Sequence, residues 1–236
     1  ANLLDYEVEM WMLGGGIFAR LARLSAAGLP TFTVLHGASA AGGAYMPGMS
    51  DYVIGVKDNG KAYLAGPALL KAATGEVADD AELGGAAMHA SVTGLVEYLA
   101  EDDAEGIATC RDLVAQLGWN RHCPTPPARD YEEPHYPAEE LLGIVPVDYR
   151  QPYEAREVVA RIVDGSRFLD FKPGYGATLV CLQARIYGIP VGILCNNGPI
   201  DPDGASKAAQ FIQLCDQAQT PLVFLQNITG YMVGTA

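Results

Sequence analysis

The chain has 236 residues, half of them apolar, which is enough for one large domain or two small ones with real cores. Twenty-eight acidic residues against 15 basic leave a net charge of −13. That argues against nucleic acid or an anionic membrane as partner, because such binders present a basic face, but it leaves room for one phosphate-bearing small molecule held by local cations and helix N-termini.

No apolar run approaches the roughly 18 residues of a membrane span. The opening "ANLLDYEVEMWMLGGG" has no basic region ahead of an apolar core, so it does not read as a signal peptide. Next, "GGIFARLARLSAAG" puts Ile17, Leu21 and Leu24 on one face of a helix that stops at Gly28. Pro30 introduces the strand "TFTVLH", and a run of small residues, "GASAAGGAYMPG", follows it. "DYVIGVK" and "KAYLAG" read as two short strands joined by the turn Asp58-Asn59-Gly60. "PALLKAATG" is a helix with Pro67 at its first position and Gly75 at its end. "DDAEGIATCRDLVAQLGW" is a helix whose acidic start suits the macrodipole.

The composition then changes. "RHCPTPPARDYEEPHYP" holds five prolines in 17 residues and cannot form a regular element. It marks a domain boundary near residues 121–150, and its aromatic content predicts that it packs along a surface. "TLVCLQARIYGIPVGILCNNG" reads as two apolar strands meeting at Gly188, with Pro190 opening the second and "CNNG" forming a turn. In "ASKAAQFIQLCDQ", Ala208, Phe211, Ile212 and Cys215 have helical spacing. "TPLVFLQN" is the next strand, and "ITGYMVGTA" an exit loop. Both halves run helix, X-Pro, strand, then a glycine-containing loop with Tyr-Met (Tyr45-Met46 and Tyr231-Met232), which hints at two related halves.

Five cysteines, Cys110, Cys123, Cys181, Cys195 and Cys215, show no paired metal spacing. Three sit in apolar segments and read as reduced core residues of a cytosolic or organellar protein. The histidines His36, His89, His122 and His135 are scattered and form no metal pattern either. His89 reads as a satisfied structural histidine or as an acid–base group facing a site. Lys71 could pair with a phosphate or stand on a solvated helix face. Ser39 in "GASAA" misses the nucleophile elbow by one glycine, its place taken by Ala41, and reads as a local hydrogen-bonding residue.

Gly42-Gly43 admits two explanations. The pair could let a helix pack tightly on a sheet. It could instead free two backbone N–H groups to hold a carbonyl oxygen that becomes negative.

Several stretches, taken in order, resemble the carboxyltransferase (β) subunit of biotin-dependent acyl-CoA carboxylases. They are "ASAAGGAYMPGMSDYVIGV", "LAGPALLKAATGE", "ELGGAAMH", "VDGSRFLDFKPGYGATLVC", "GILCNNG" and "FIQLCDQAQTPLVFLQNITGYMVG". "LLKAATGE" and "LQNITGYMVG" are closer to the methylcrotonyl-CoA and geranyl-CoA carboxylase branch than to the propionyl-CoA branch. The resemblance implies an α/β, crotonase-like fold of ββα spiral units in two related halves. Residues 1–125 would form part of the acyl-CoA half, 126–150 the Pro-rich linker, and 151–236 the first part of the biotin half. It implies that the amides of Gly42 and Gly43 stabilise the enolate oxygen of the thioester, with carboxybiotin as the source of CO2 and of the base. Substrate-binding candidates are Ala41, Ala44, Tyr45, Gly66, Pro67, Lys71 and His89, and no residue is assigned to biotin or to a metal. Ala87 in "AAMH" stands where many relatives carry an acid.

The same resemblance implies a biotin carboxylase or biotin-carrier partner, a homo-oligomer, and a bacterial cytoplasmic or mitochondrial-matrix location. It puts the loop that would hold the biotin carbonyl beyond Ala236. Other crotonase-fold activities on acyl-CoA, a decarboxylase or a hydratase, are the alternatives, as are a propionyl- or acetyl-CoA carboxylase β subunit and a chain that holds acyl-CoA or assembles partners without turnover. A hydratase needs paired carboxylates near the oxyanion site, and no acid lies between Gly37 and Ser50.

Overall fold

The computed structural model describes residues 8–117, 130–148 and 151–226, with side chains from residue 15 onward. Cys123, His122 and the Tyr231-Met232 loop lie outside the described residues.

Helix α1 (Val8–Ala26) ends at Gly28, whose φ of +72° suits a residue without a Cβ. The face expected to be buried is turned differently, since Ile17 and Leu24 are 45% and 42% exposed. Phe18 packs instead on Tyr45, with ring centroids 5.3 Å apart. Buried Asp51 ties the end of this helix to the sheet, accepting from Ser25 Oγ at 2.5 Å, Thr31 N at 2.8 Å and Thr31 Oγ1 at 2.9 Å.

The chain then winds as a spiral. Strand β1 (Phe32–Leu35) leads to β2 (Ala38–Ala40) and the short helix α2 (Tyr45–Met49). Strand β3 (Tyr52–Val56) leads to β4 (Lys61–Tyr63) and α3 (Pro67–Thr74), with Pro67 in its first turn and Gly75 (φ +78°) closing it. Each turn lays one strand in the parallel sheet β1-β3-β5 and one in the parallel pair β2-β4. The strands on either side of Asp58-Asn59-Gly60 therefore belong to different sheets. This is the ββα unit of a crotonase-like α/β fold.

Helices α4 (Asp80–Gly84) and α5 (Ala86–Met88) and a π-helical turn, His89–Thr93, then bring the chain to β5 (Tyr98–Ala100). Asp79 caps α4 through Ala81 N at 2.8 Å, and Asp102 caps α6 (Asp103–Gln116) through Glu105 N at 2.8 Å.

The described part of the Pro-rich segment lies on the second half of the chain. Tyr131 meets Tyr187 edge-on, Arg161 stands 4.9 Å above the Tyr136 ring, and Gly165 N donates to Glu132 O at 2.9 Å. Helix α7 (Leu141–Ile144) and helix α8 (Ala155–Val159) precede strand β6 (Phe168–Phe171). Strands β7 (Leu179–Ile186) and β8 (Ile189–Asn196) form a hairpin whose two turn residues, Tyr187 and Gly188, have φ of +51° and +76°. The "CNNG" run is not wholly a turn: Cys195 and Asn196 end β8. Asn197 works as a bridge, accepting from Ala155 N at 2.8 Å. Helix α9 (Pro202–Gln217) starts earlier than its apolar spacing, because Pro202 and the Asp201 cap on Gly204 N add a turn. It returns the chain to β9 (Leu222–Leu225), parallel to β8.

The principal core joins the two halves, packing Tyr52, Ile54 and Tyr98 against Phe171, Leu194 and Phe211. Within it Tyr98 Oη donates to Gln183 Oε1 at 2.6 Å, and Gln183 Nε2 donates to Tyr52 Oη at 3.4 Å. Cys181, Cys195 and Cys215 are buried free thiols, each pushed up to about 12 by burial, and so are unreactive core residues. No helix among the described residues is long and apolar enough to cross a membrane.

Candidate active site

Directly after β2 the backbone tightens into one 3₁₀ turn, Ala41–Gly43, entered through Ala41 at a left-handed φ of +49°. An alanine held there is under strain that the surrounding structure must offset. The turn closes through Ala44 N donating to Ala41 O at 3.0 Å. As the last residue of the 3₁₀ turn, Gly43 turns its N–H back toward Ala40 O, and both Gly42 and Gly43 are exposed.

Tight packing does not account for this pair. A Cβ built on Gly42 would meet nothing within 4 Å, and one on Gly43 would meet only Ser39 Cβ at 4.0 Å. Neither residue has a positive φ. Ser39 itself sits in β2, and its hydroxyl makes no hydrogen bond among the described residues, contrary to the local role expected of it.

Beside the turn lies a cleft of about 330 Å³, lined by Ala41, Ala44, Tyr45, Tyr63, Leu64 and His89 among others. Its lining is mostly apolar and, among the described residues, carries no carboxylate. His89 closes the inner end. Its Nε2 lies 2.7 Å from Ala62 O, so that nitrogen carries the proton, and Nδ1 accepts from the Thr93 hydroxyl at 2.8 Å. Both ring nitrogens are engaged, and His89 presents its ring rather than a free base.

Of the residues singled out in the sequence, Ala41, Ala44, Tyr45 and His89 therefore meet around one cleft, with Gly42 and Gly43 on its rim. Gly66, Pro67 and Lys71 do not line it. Gly66 caps α3, where a Cβ would lie 3.3 Å from the Tyr63 ring, Pro67 starts that helix, and Lys71 stands exposed in its last turn with no ion pair among the described residues.

A second cleft of about 430 Å³ adjoins the first, sharing Gly48, His89 and Leu95 with it. Its far wall holds a buried polar group that sequence reading missed: Glu97, Lys172 and Gln210. Glu97 Oε2 accepts from Val53 N at 2.5 Å, and Glu97 Oε1 accepts from Gln210 Nε2 at 3.1 Å and lies 3.4 Å from Lys172 Nζ. Burial pushes the Glu97 carboxyl up to about 7 against the opposing pull of Lys172, and burial likewise holds Lys172 below its usual value. The one available signal was weak: a lone glutamate in the apolar run "GLVEYLA".

Comparison with known proteins matches residues 7–236 to a carboxyl transferase domain model. A probable biotin-dependent acyl-coenzyme A carboxylase beta2 subunit of Mycobacterium tuberculosis is 52% identical over 98% of this chain and 44% of its own length. The mitochondrial methylcrotonoyl-CoA carboxylase beta chain of Dictyostelium discoideum is 50% identical over 93% of this chain and 37% of its own. The chain thus spans less than half the length of these relatives. Among solved structures, the transcarboxylase 12S subunit, described as a hexamer with hydrolysed methylmalonyl-coenzyme A bound, superposes with a TM-score of 0.86. It is 32% identical, over 98% of this chain and 46% of that one.

Proposed function

The chain belongs to the carboxyl transferase domain family, and from that premise we propose that it is the acyl-CoA-holding part of a biotin-dependent acyl-CoA carboxylase. The observation that carries this reading is the Gly42-Gly43 pair itself, exposed in a tight turn beside an apolar cleft and free of any packing duty. Backbone N–H groups at such a turn suit an oxygen that gains charge as a thioester becomes an enolate, because the turn holds them in place before the reaction begins.

The thioester loses its α proton, or its vinylogous γ proton, and the enolate oxygen is held by Gly42 and Gly43. Carboxybiotin, brought by a partner, supplies the CO2 and the ureido nitrogen that takes the proton. The enolate carbon then bonds to CO2, giving the carboxylated acyl-CoA. This chain's contribution is position and electrostatics. The absence of a carboxylate from the cleft lining argues against hydration chemistry, which needs paired acids there.

The relative named as a methylcrotonoyl-CoA carboxylase supports a branched, unsaturated acyl group as substrate. Residues 1–125 form the acyl side, 151–236 the biotin side, and 126–150 join them. Exposed apolar residues, including Leu69 at 61% and Val77 at 78%, support association with copies of itself or with a biotin-carrying subunit. Relatives named as mitochondrial support a matrix location if the source is eukaryotic, and the cytoplasm otherwise.

The test is an assay of the full-length protein with biotin carboxylase and biotin carrier against a panel of acyl-CoA thioesters. Biotin-dependent carboxylation highest on a branched, unsaturated thioester is expected. Activity that ignores biotin would overturn the reading.

A further inference from the structure

The loop Lys172–Gly176, which leaves β6 in the second half, lies directly on the π-turn that carries His89 in the first. A Cβ on Gly174 would fall 3.3 Å from Ala90 O, and one on Gly94 would fall 3.0 Å from the Tyr175 ring. The other side of the loop is braced on α9. Tyr175 Oη donates to Asp203 Oδ1 at 3.0 Å, and a Cβ on Gly176 would fall 2.5 Å from Gly204 N. The loop is wedged between the two elements.

At its head, Lys172 combines two costly features. Its backbone is left-handed, with φ of +50°, and its ammonium is buried. The ammonium donates to Gln210 Oε1 at 2.6 Å and to the carbonyl of Gly94, the residue that ends the π-turn. Its backbone N donates to Glu97 O at 2.9 Å, within the strand approach that follows. Apolar side chains replacing both members of the pair could fill such a space without loss of stability, whereas removing the ammonium alone leaves its buried partners unmatched. What the ammonium adds is direction, because it fixes one carbonyl at the end of one turn.

We propose that Lys172 is a positioning residue for the acyl-thioester cleft. It reaches from the second half to pin the end of the π-turn, and so sets where the His89 ring stands in the cleft wall. This rests on the reading of the cleft given above. The buried carboxyl of Glu97, with Gln210 beside it, holds the ammonium in register, although burial opposes the charge on both groups, raising Glu97 and lowering Lys172.

The test is a double-mutant cycle in the full-length protein with its biotin partners. Lys172→Met is expected to lower kcat by roughly 10- to 100-fold, the scale of a small misplacement at a reacting centre. KM for acyl-CoA should stay within about threefold. Combined with His89→Ala, the loss should be no deeper than that of the worse single variant. In parallel, the His89 ring resonances, followed by NMR, should move in Lys172→Met. If that variant fails to fold, Gln210→Ala, which removes one acceptor of the ammonium, is read in the same way.

Unchanged turnover, losses that multiply in the double variant, or unmoved His89 resonances would each overturn the proposal. A wild-type protein without biotin-dependent carboxylation would overturn the functional reading instead, and the His89 resonances would still decide the positioning.

Discussion

Two glycine pairs, Gly42-Gly43 and Gly84-Gly85, look alike in the sequence, each followed by alanine and a short helix. In the fold they have opposite surroundings. A Cβ on Gly84 would lie 2.5 Å from Ala62 O and 2.6 Å from the Tyr63 ring, and one on Gly85 would lie 2.6 Å from Ala81 O. That pair stands buried behind the wall of the cleft and is needed because backbone meets backbone. The pair on the rim meets nothing of the kind. One is glycine for the sake of the protein's own interior; the other has no such need, and the proposed function assigns it to a substrate.

Substitution separates the two causes. Gly43→Val keeps its N–H but sets a branched side chain where the thioester must approach, and should cost roughly 10²–10³ in carboxylation rate, the scale of losing one oxyanion donor, with the thermal midpoint unmoved. If turnover stays within a few-fold of wild type, the rim pair is not an oxyanion site and the contrast fails.

Gly84→Ala should act in the other sense. Overpacking against a carbonyl that cannot move away destabilises by about 1–3 kcal/mol, read as a lower urea midpoint at unchanged slope. An unchanged midpoint would show that the wall behind the cleft is looser than its contacts.

The buried wall should also respond to pH where the rim does not. Glu97 has an ordinary value of 4.5 and is raised to about 7. Between those values the folded protein keeps a proton that the unfolded chain has released. Its contribution to stability therefore falls as pH rises from about 4.5 to about 7, and levels off above. Lys172, Gln210 and Val53 N face it directly, with Tyr52 near by. Unfolding of wild type and Glu97→Gln across that window should show wild type losing stability relative to the variant as pH rises; a constant difference would contradict the sign.

The smallest effect belongs to the outer surface. Leu69→Ser on α3 should change the stability of the isolated chain by less than about 0.5 kcal/mol while weakening self-association in sedimentation. Unaltered association would mean that α3 is not part of the contact.

Much of this architecture was legible in the sequence, for reasons tied to particular residues. The apolar runs of β1, β3, β7 and β8 and the Tyr187-Gly188 turn carry strong local signals, as does the helical spacing in α9. Strand β2, "ASA", was invisible because its residues have little preference for extended backbone, and it exists through pairing with β4. The assignment of β3 and β4 to different sheets was hidden for a related reason: a turn sequence fixes the bend but not which neighbour each strand finds. At the site, Gly42-Gly43 was legible as a pair, but its cause was not, since the choice depends on what stands within 4 Å. The meeting of Glu97 with Lys172 joins positions 75 residues apart, and no local pattern announces it.

The buried bridge from Tyr98 and Tyr52 to Gln183 bears on how the protein comes to be folded during synthesis. Its partners are 85 and 131 residues apart in the chain. The ribosome releases the first half well before Gln183 exists, and loop closure over such spans is slow. Until then two phenols of the first core stay unpaired, and the apolar faces of Tyr52, Ile54 and Tyr98 wait uncovered for β7 and α9. The nascent first half is therefore the species most in need of a chaperone.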